Sequence, residues 1–181
     1  MSEADPLFTT PAPRLSTEAA EVLARARFGV VGRARALTSE RDLNFRIRAE
    51  DGRTYVLKVA NAAEEAAVLD FQNRALDHIA AADPDLPTPR VVPTTDGAAM
   101  FESQGSLVRL LTWLDGTMLH EVERTPALRA GLGVMHARLG LALKGFDHPA
   151  AGYSLLWDLK GAAGLRTLLP HATDAGRQEL A

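Results

Sequence analysis

The stretch "TYVLKVAN", residues 54–61, decides how this chain folds. Its β-branched and aromatic residues favour a strand, and strand side chains alternate between two faces. Tyr55, Leu57 and Val59 then fall on one face. Val56, Lys58 and Ala60 fall on the other. An ammonium buried among apolar neighbours without a partner costs several kcal/mol, about 3–5 when a buried pair is broken. Lys58 therefore has two options. It reaches water from an edge or an exposed face, or it meets an anion.

Upstream, "EDGR" (Glu50 to Arg53) carries Asp-Gly, a strong hairpin signal. Before it, Leu43, Phe45 and Ile47 alternate with Asn44, Arg46 and Arg48, the pattern of a half-buried antiparallel strand. Strands over about 43–49 and 54–60 are expected to pair, and a strand over about 30–37 precedes them through the turn "TSERD". Ser16 or Thr17 can cap a helix over about 17–27 that ends at Gly29. Residues 1–15 are expected to be a flexible arm.

Downstream the period changes. Val68, Leu69, Gln72, Leu76 and Ile79 line one face of a helix expected over about 62–82. The proline-rich "DPDLPTPRVVPTTDG" follows as a loop with a short strand near Arg90–Pro93. "SLVRLLTWLDG", 106–116, is a further strand that ends in a turn. A helix over about 125–144 carries a stripe of Leu128, Leu132, Met135, Leu139 and Leu143, best placed in a core. A loop and short helix are expected from "YSLLWDLK", and Asp174 is a candidate cap for one more helical turn. The fold class is thus α+β: a small antiparallel sheet with one long helix inserted after its third strand, then a helical part.

Composition narrows the function. The 181 residues have 46% hydrophobic and 24% charged side chains and a net charge of −3, an ordinary globular make-up. No clustered basic footprint for nucleic acid is evident. There is no cysteine, which excludes disulfides and thiolate metal sites and fits a reducing cytoplasm. No signal-peptide pattern and no run of about 18 apolar residues is present, so no membrane partner is expected.

Several segments together resemble the aminoglycoside phosphotransferase family, in its hydroxylysine kinase-like branch. They are "LTSERDLNFRI", "DGRTYVLKVAN", "VLDFQNRAL", "LPTPRVVPT", "VRLLTWLDGTML", "LKGFDHPAAG" and "LLWDLK". They follow the family's order over nearly all of residues 28–160. "V-L-K-V" alone occurs widely. The third-strand lysine, the "RLL-aromatic-x-x-G" hinge and the later "WDL" are more specific in combination.

The resemblance implies a kinase-like fold, with a nucleotide-binding lobe over 16–114 and the first helices of a second lobe over 115–181. It implies ATP as the nucleotide and a small amine or amino acid as the substrate of the whole enzyme. It makes Lys58 the lysine that touches the α- and β-phosphates. It makes Thr38 to Asn44 the loop over the phosphates, with Ser39 and Asn44 as candidate contacts. That loop has no glycine, unlike the Gly-rich loops of protein kinases, and an ordinary polar turn is the alternative. Adenine would meet the backbone between about Leu111 and Leu114, with Thr112 and Leu114 as candidates. Trp113 is either part of that hinge or a core side chain.

A carboxylate on the long helix is expected to orient Lys58. Gln72 occupies the usual glutamate position, and Asp70 is the nearest acid. Residues two apart on a helix diverge by about 200°, so only one can face Lys58, and Asp70 is favoured. Phosphoryl transfer also needs a base and Mg²⁺ ligands. The family draws them from H-x-D-x-x-x-x-N and a later Asp. None of the five histidines begins that pattern. The loop is expected beyond Ala181, so Mg²⁺ is expected only with it, no residue of this chain is assigned as catalytic or metal-binding, and the chain alone is expected to be inactive. No zinc spacing or G-x-S-x-G motif is present. The competing account is a non-catalytic nucleotide-binding or interaction module.

Overall fold

The computed structural model describes residues 10–153, 158–159, 162–164 and 166. Most of "LLWDLK" and the helix expected to start at Asp174 lie outside these residues.

The chain enters along residues 10–16 and forms α1, Thr17–Phe28. Ser16 Oγ accepts from the Ala19 N–H at its start, and Gly29 closes it at φ 67°, where a side chain would be strained. Strands β1 (Gly32–Leu37), β2 (Leu43–Ala49) and β3 (Thr54–Val59) then run antiparallel. The Asp51-Gly52 turn between β2 and β3 is closed by Asp51 Oδ1, which accepts from the Arg53 N–H at 2.9 Å. Helix α2, Ala66–Ala82, comes next. It begins four residues later than expected from composition, because Asn61 forms a turn first: its Oδ1 accepts from the Ala63 N–H and its backbone C=O accepts from Glu64.

Strands β4 (Val91–Val92), β5 (Phe101–Ser103) and β6 (Ser106–Thr112) complete the sheet, in the order β1-β2-β3-β6-β4 with β5 also on β6. β5 was not expected from the sequence. Its two-residue turn is Gln104-Gly105, both at positive φ (52° and 76°), and glutamine is a weak turn signal beside asparagine or aspartate. The strand expected over 106–116 ends at Thr112.

The two sheet faces differ. Phe45, Ile47, Tyr55, Leu57, Val59, Val108 and Leu110 pack with Ala20, Ala24 and Phe28 of α1 into the main core. The opposite face carries Lys58, so the lysine stands on the face that α1 does not cover. Helix α3, Pro126–Ala142, follows the sheet. Of its expected stripe, Leu139 and Leu143 pack against Ile79, Leu86 and Ala142. Met135 does not join a core, and Val134 and Leu141 are exposed at 61% and 71%. The ion pair of Asp83 with Arg138, at 2.8 and 2.7 Å, ties the end of α2 to α3. Among the described residues, no helix is long and apolar enough to cross a membrane.

Candidate functional site

Side chains opposite each other in an antiparallel ladder share a face. Asn44 is opposite Lys58, and Lys58 is opposite Arg109. The pairings Arg46–Val56 and Val56–Leu111 continue the same face toward the end of β6. One continuous surface thus runs from Lys58 past Val56 and Arg46 to Leu111 and the residues after Thr112.

Lys58 is three-quarters buried and remains tied. Its Nζ donates to Asn44 Oδ1 at 3.1 Å and lies 4.0 Å from Asp42 Oδ2. Burial lowers its pKa, the Asp42 charge works against that, and Arg109 adds to it. Asn44 is held in turn, since its Nδ2 donates to Ser39 Oγ at 2.5 Å. Asp42 is fixed from below by the Asn61 N–H, 3.2 Å from Oδ1. Asn61 is itself buried and donates to the carbonyls of Thr10 and Arg41. The loop from Thr38 to Asn44 is therefore built around the lysine by side-chain hydrogen bonds. Ser39, Asn44 and Lys58, all picked out from the sequence, come together here.

Asp70 does not join them. Its Oδ2 accepts from Arg74 Nε at 2.7 Å and from His148 at 3.1 Å, on the side of α2 that faces the later part of the chain. Both partners, Arg74 first, hold its carboxyl below the usual range. The expected Lys58–Asp70 pairing is absent because the helical rotation that turns Gln72 toward the sheet turns Asp70 away. Gln72 reaches the sheet but meets a different cation. Its Oε1 accepts from Arg109 Nη2, and Asn73 Oδ1 accepts from Arg109 Nη1 at 2.8 Å. Arg109 is buried, which lowers its pKa, while Asp42 and Glu64 oppose that. Burial also raises the Glu64 pKa, and the neighbouring Asp42 charge adds to it.

At the other end of the surface, Thr112 exchanges hydrogen bonds with Arg90: its N–H donates to the Arg90 carbonyl and its Oγ1 accepts from the Arg90 N–H, both at 2.9 Å. Trp113 N–H donates to Thr54 O at 3.0 Å, which extends the β3–β6 ladder by one bond. Its half-buried ring lies under the Arg46 guanidinium, 4.5 Å from the centroid, so it is not a core side chain. Leu114 is 46% exposed.

Arg109 and Arg46 are functional candidates that sequence reasoning missed. Both lie in strands that were recognised, but strand register decides which residue faces Lys58, and register is set by pairing. Asp42 lay inside the recognised loop. Among the described residues, no cluster of three or more His, Asp or Glu could hold a metal ion.

Comparison with known proteins finds a family and several relatives. A model described as the phosphotransferase enzyme family matches residues 33–180. The hydroxylysine kinase of Danio rerio is 31% identical over 148 residues, covering 76% of this chain and 41% of that protein. The hydroxylysine kinase of Mus musculus is 28% identical over 187 residues, covering 91% of this chain and 49% of that protein. The chain spans less than half the length of these curated relatives. Among solved structures, a spectinomycin phosphotransferase in complex with ADP and spectinomycin aligns at TM-score 0.61 and 9% identity, over 88% of this chain and 48% of that one. An amicoumacin kinase in complex with AMP-PNP and Ca²⁺ aligns at TM-score 0.61 and 15% identity, over 74% and 42%. A microcompartment-associated aminopropanol kinase aligns at 0.59 and 17%, over 85% and 49%. At these identities the structural likeness is one of fold.

Proposed function

The chain belongs to the phosphotransferase enzyme family, and from that premise we propose that it forms the nucleotide-binding part of an ATP-dependent small-molecule kinase. The reaction of the whole enzyme moves the γ-phosphoryl group of a nucleoside triphosphate to a hydroxyl of a small amine or amino acid. The curated relatives are hydroxylysine kinases, which supports that acceptor class. Residues 16–114 make the nucleotide lobe, and 115–181 begin the lobe that holds the acceptor.

One observation carries the proposal. Lys58 is a mostly buried cation held by an amide oxygen at 3.1 Å, with its nearest carboxylate 4.0 Å away. Its charge is only partly compensated, and it faces a surface long enough for a nucleotide. A phosphate oxygen gives it an ionised acceptor where Asn44 offers a neutral amide oxygen. The strand after Thr112 offers backbone groups for the base, with Thr112 and Leu114 nearest. Asn44 and Ser39 hold the loop over the phosphates. Arg109, rather than Lys58, takes the helix side chain at position 72, so Lys58 is positioned from the loop side.

Phosphoryl transfer requires a base and Mg²⁺ ligands of the kind the family draws from H-x-D-x-x-x-x-N and a later Asp, and that pattern does not occur in these 181 residues. The chain by itself therefore binds nucleotide without transferring phosphate. The test is the melting curve of the chain with and without saturating Mg-ATP. Ligand at 100 times its dissociation constant stabilises by about 2.7 kcal/mol. An unmoved curve, or turnover of amino alcohols by the purified chain, overturns the respective half of the proposal.

A further inference from the structure

The sheet face that holds Lys58 also holds an unusual concentration of arginine. Arg35 is directly opposite Arg46, and Arg33 is directly opposite Arg48. Like charges directly opposite on neighbouring strands repel. Arg35 and Arg48 are exposed and relieve this in water. Arg46 is half-buried and cannot do so fully.

Two arginines, Arg27 over Phe101 and Arg46 over Trp113, share one arrangement, and of the two Arg46 is the one on the sheet face that holds Lys58. Its guanidinium carbon lies over Trp113, 4.5 Å from the ring centroid. Its Nε is buried and has no hydrogen-bond partner among the described residues. A buried guanidinium donor without a partner is uncommon and asks for a reason. Here the side chain is held by a ring rather than by hydrogen bonds. A guanidinium is planar and can stack through both faces, and the Arg46 side chain is only half-buried.

The position completes the case. Arg46 is opposite Val56, one alternate residue along from Lys58, and Val56 is opposite Leu111. A nucleotide with its phosphates at Lys58 and its base at the backbone beyond Thr112 crosses this point. We propose that Arg46 is a base-binding residue: its guanidinium, stacked on Trp113, takes the base of the bound nucleotide on its outer face. This rests on the nucleotide-binding reading of the same surface. Trp113, Arg46 and the base then form one stack, with the arginine contributing cation–π attraction to both rings. The base is recognised by its π-surface, so the contact holds the nucleoside and leaves the phosphates to Lys58.

The experiment measures binding of three probes to the full 181-residue chain: ATP, adenosine and inorganic tripolyphosphate. Four forms are compared: wild type, Arg46→Met, Arg46→Lys and Lys58→Met. Arg46→Met is expected to weaken ATP and adenosine on the order of tenfold while tripolyphosphate is unchanged. Arg46→Lys keeps the charge but loses the plane, and is expected to behave like Arg46→Met. It carries the test if the methionine variant fails to fold. Lys58→Met is expected to do the reverse, weakening tripolyphosphate and sparing adenosine. If wild type binds ATP and both Arg46 variants bind it equally well, Arg46 has no part in base binding. If the Arg46 variants lose tripolyphosphate as much as ATP, it acts as a bare charge and the stacking role is wrong. A wild-type chain that binds none of the probes overturns the nucleotide reading itself.

Discussion

Lys58 and Arg109 stand directly opposite each other on β3 and β6, and each leans on a different part of the chain. Lys58 turns to Asn44 on β2 and to Asp42 in the loop before it. Arg109 turns to Gln72 and Asn73 on α2. Two cations side by side repel, and Arg109 does lower the Lys58 pKa. The arrangement is tolerable because each cation has its own hydrogen-bond acceptors and the Asp42 charge favours both. Arg109 is a buried structural cation, whereas Lys58 remains a quarter exposed.

Replacement of Lys58 should separate binding from stability. Burial is the main cause of its lowered pKa, so the folded chain disfavours its charge. Lys58→Met is expected to change stability by less than about 1 kcal/mol, because the desolvated charge and its hydrogen bond to a neutral amide leave together. ATP affinity is expected to fall by about 1.5–3 kcal/mol, the worth of a charge-assisted hydrogen bond. Thermal melting and calorimetric titration of the two forms check this. A variant that unfolds would mean Lys58 is structural.

Arg109→Met should do the opposite. It leaves the buried Asn73 Oδ1 and the half-buried Gln72 Oε1 without their donor. Each buried unsatisfied acceptor costs about 1–3 kcal/mol, and the sum is expected near 3 kcal/mol. Urea unfolding at neutral pH measures it. A loss below about 1 kcal/mol would show that water replaces the guanidinium freely.

Gly32 is expected to tolerate no side chain. A Cβ there would lie 2.3 Å from the Arg48 carbonyl oxygen and 2.7 Å from Ala49 Cα. Both are backbone atoms of the paired strand and cannot swing aside. Gly32→Ala is expected to destabilise by about 1–3 kcal/mol through this overpacking. The midpoint of chemical unfolding checks it. Gly52→Ala is a poor control, since its φ of 85° adds strain of another kind.

Acid should loosen the connection between α2 and α3. Arg138 holds the Asp83 carboxyl below its ordinary 3.8. A depressed acid stabilises the fold above its unfolded pKa and loses that contribution as pH falls through the folded value. The melting temperatures of wild type and Asp83→Asn should therefore differ most above pH 3.8 and converge below it. A constant difference across that range would exclude the ion pair as its source.

The fold was legible where local chemistry dictates it. Ser16 and Gly29 bracket α1, Asp51-Gly52 turns β2 into β3, and the alternation around Phe45 and Tyr55 marks the buried face. The lysine's unusual position was legible for the same reason. Its partners were not. Asp70 and Gln72 are two residues apart, and the rotation of a helix about its axis depends on what it packs against. Arg109 becomes the partner of Gln72 only once β6 is in register with β3. The turn at Gln104-Gly105 escaped notice because its left-handed glutamine is stabilised by the two strands it joins rather than by its own preference.

Helix α1 has a consequence for the outer border of the sheet. β1 is a terminal strand, and such strands present open donors to which another chain can add. The carboxylate of Glu21 reaches from α1 to one of them, accepting from the Ala34 N–H at 2.9 Å and standing 3.4 Å from Arg33. An incoming strand must displace that carboxylate and strip water from two arginines before it forms its first hydrogen bond. The same residues that crowd positive charge onto one face thereby discourage unwanted polymerisation along the other direction of the sheet.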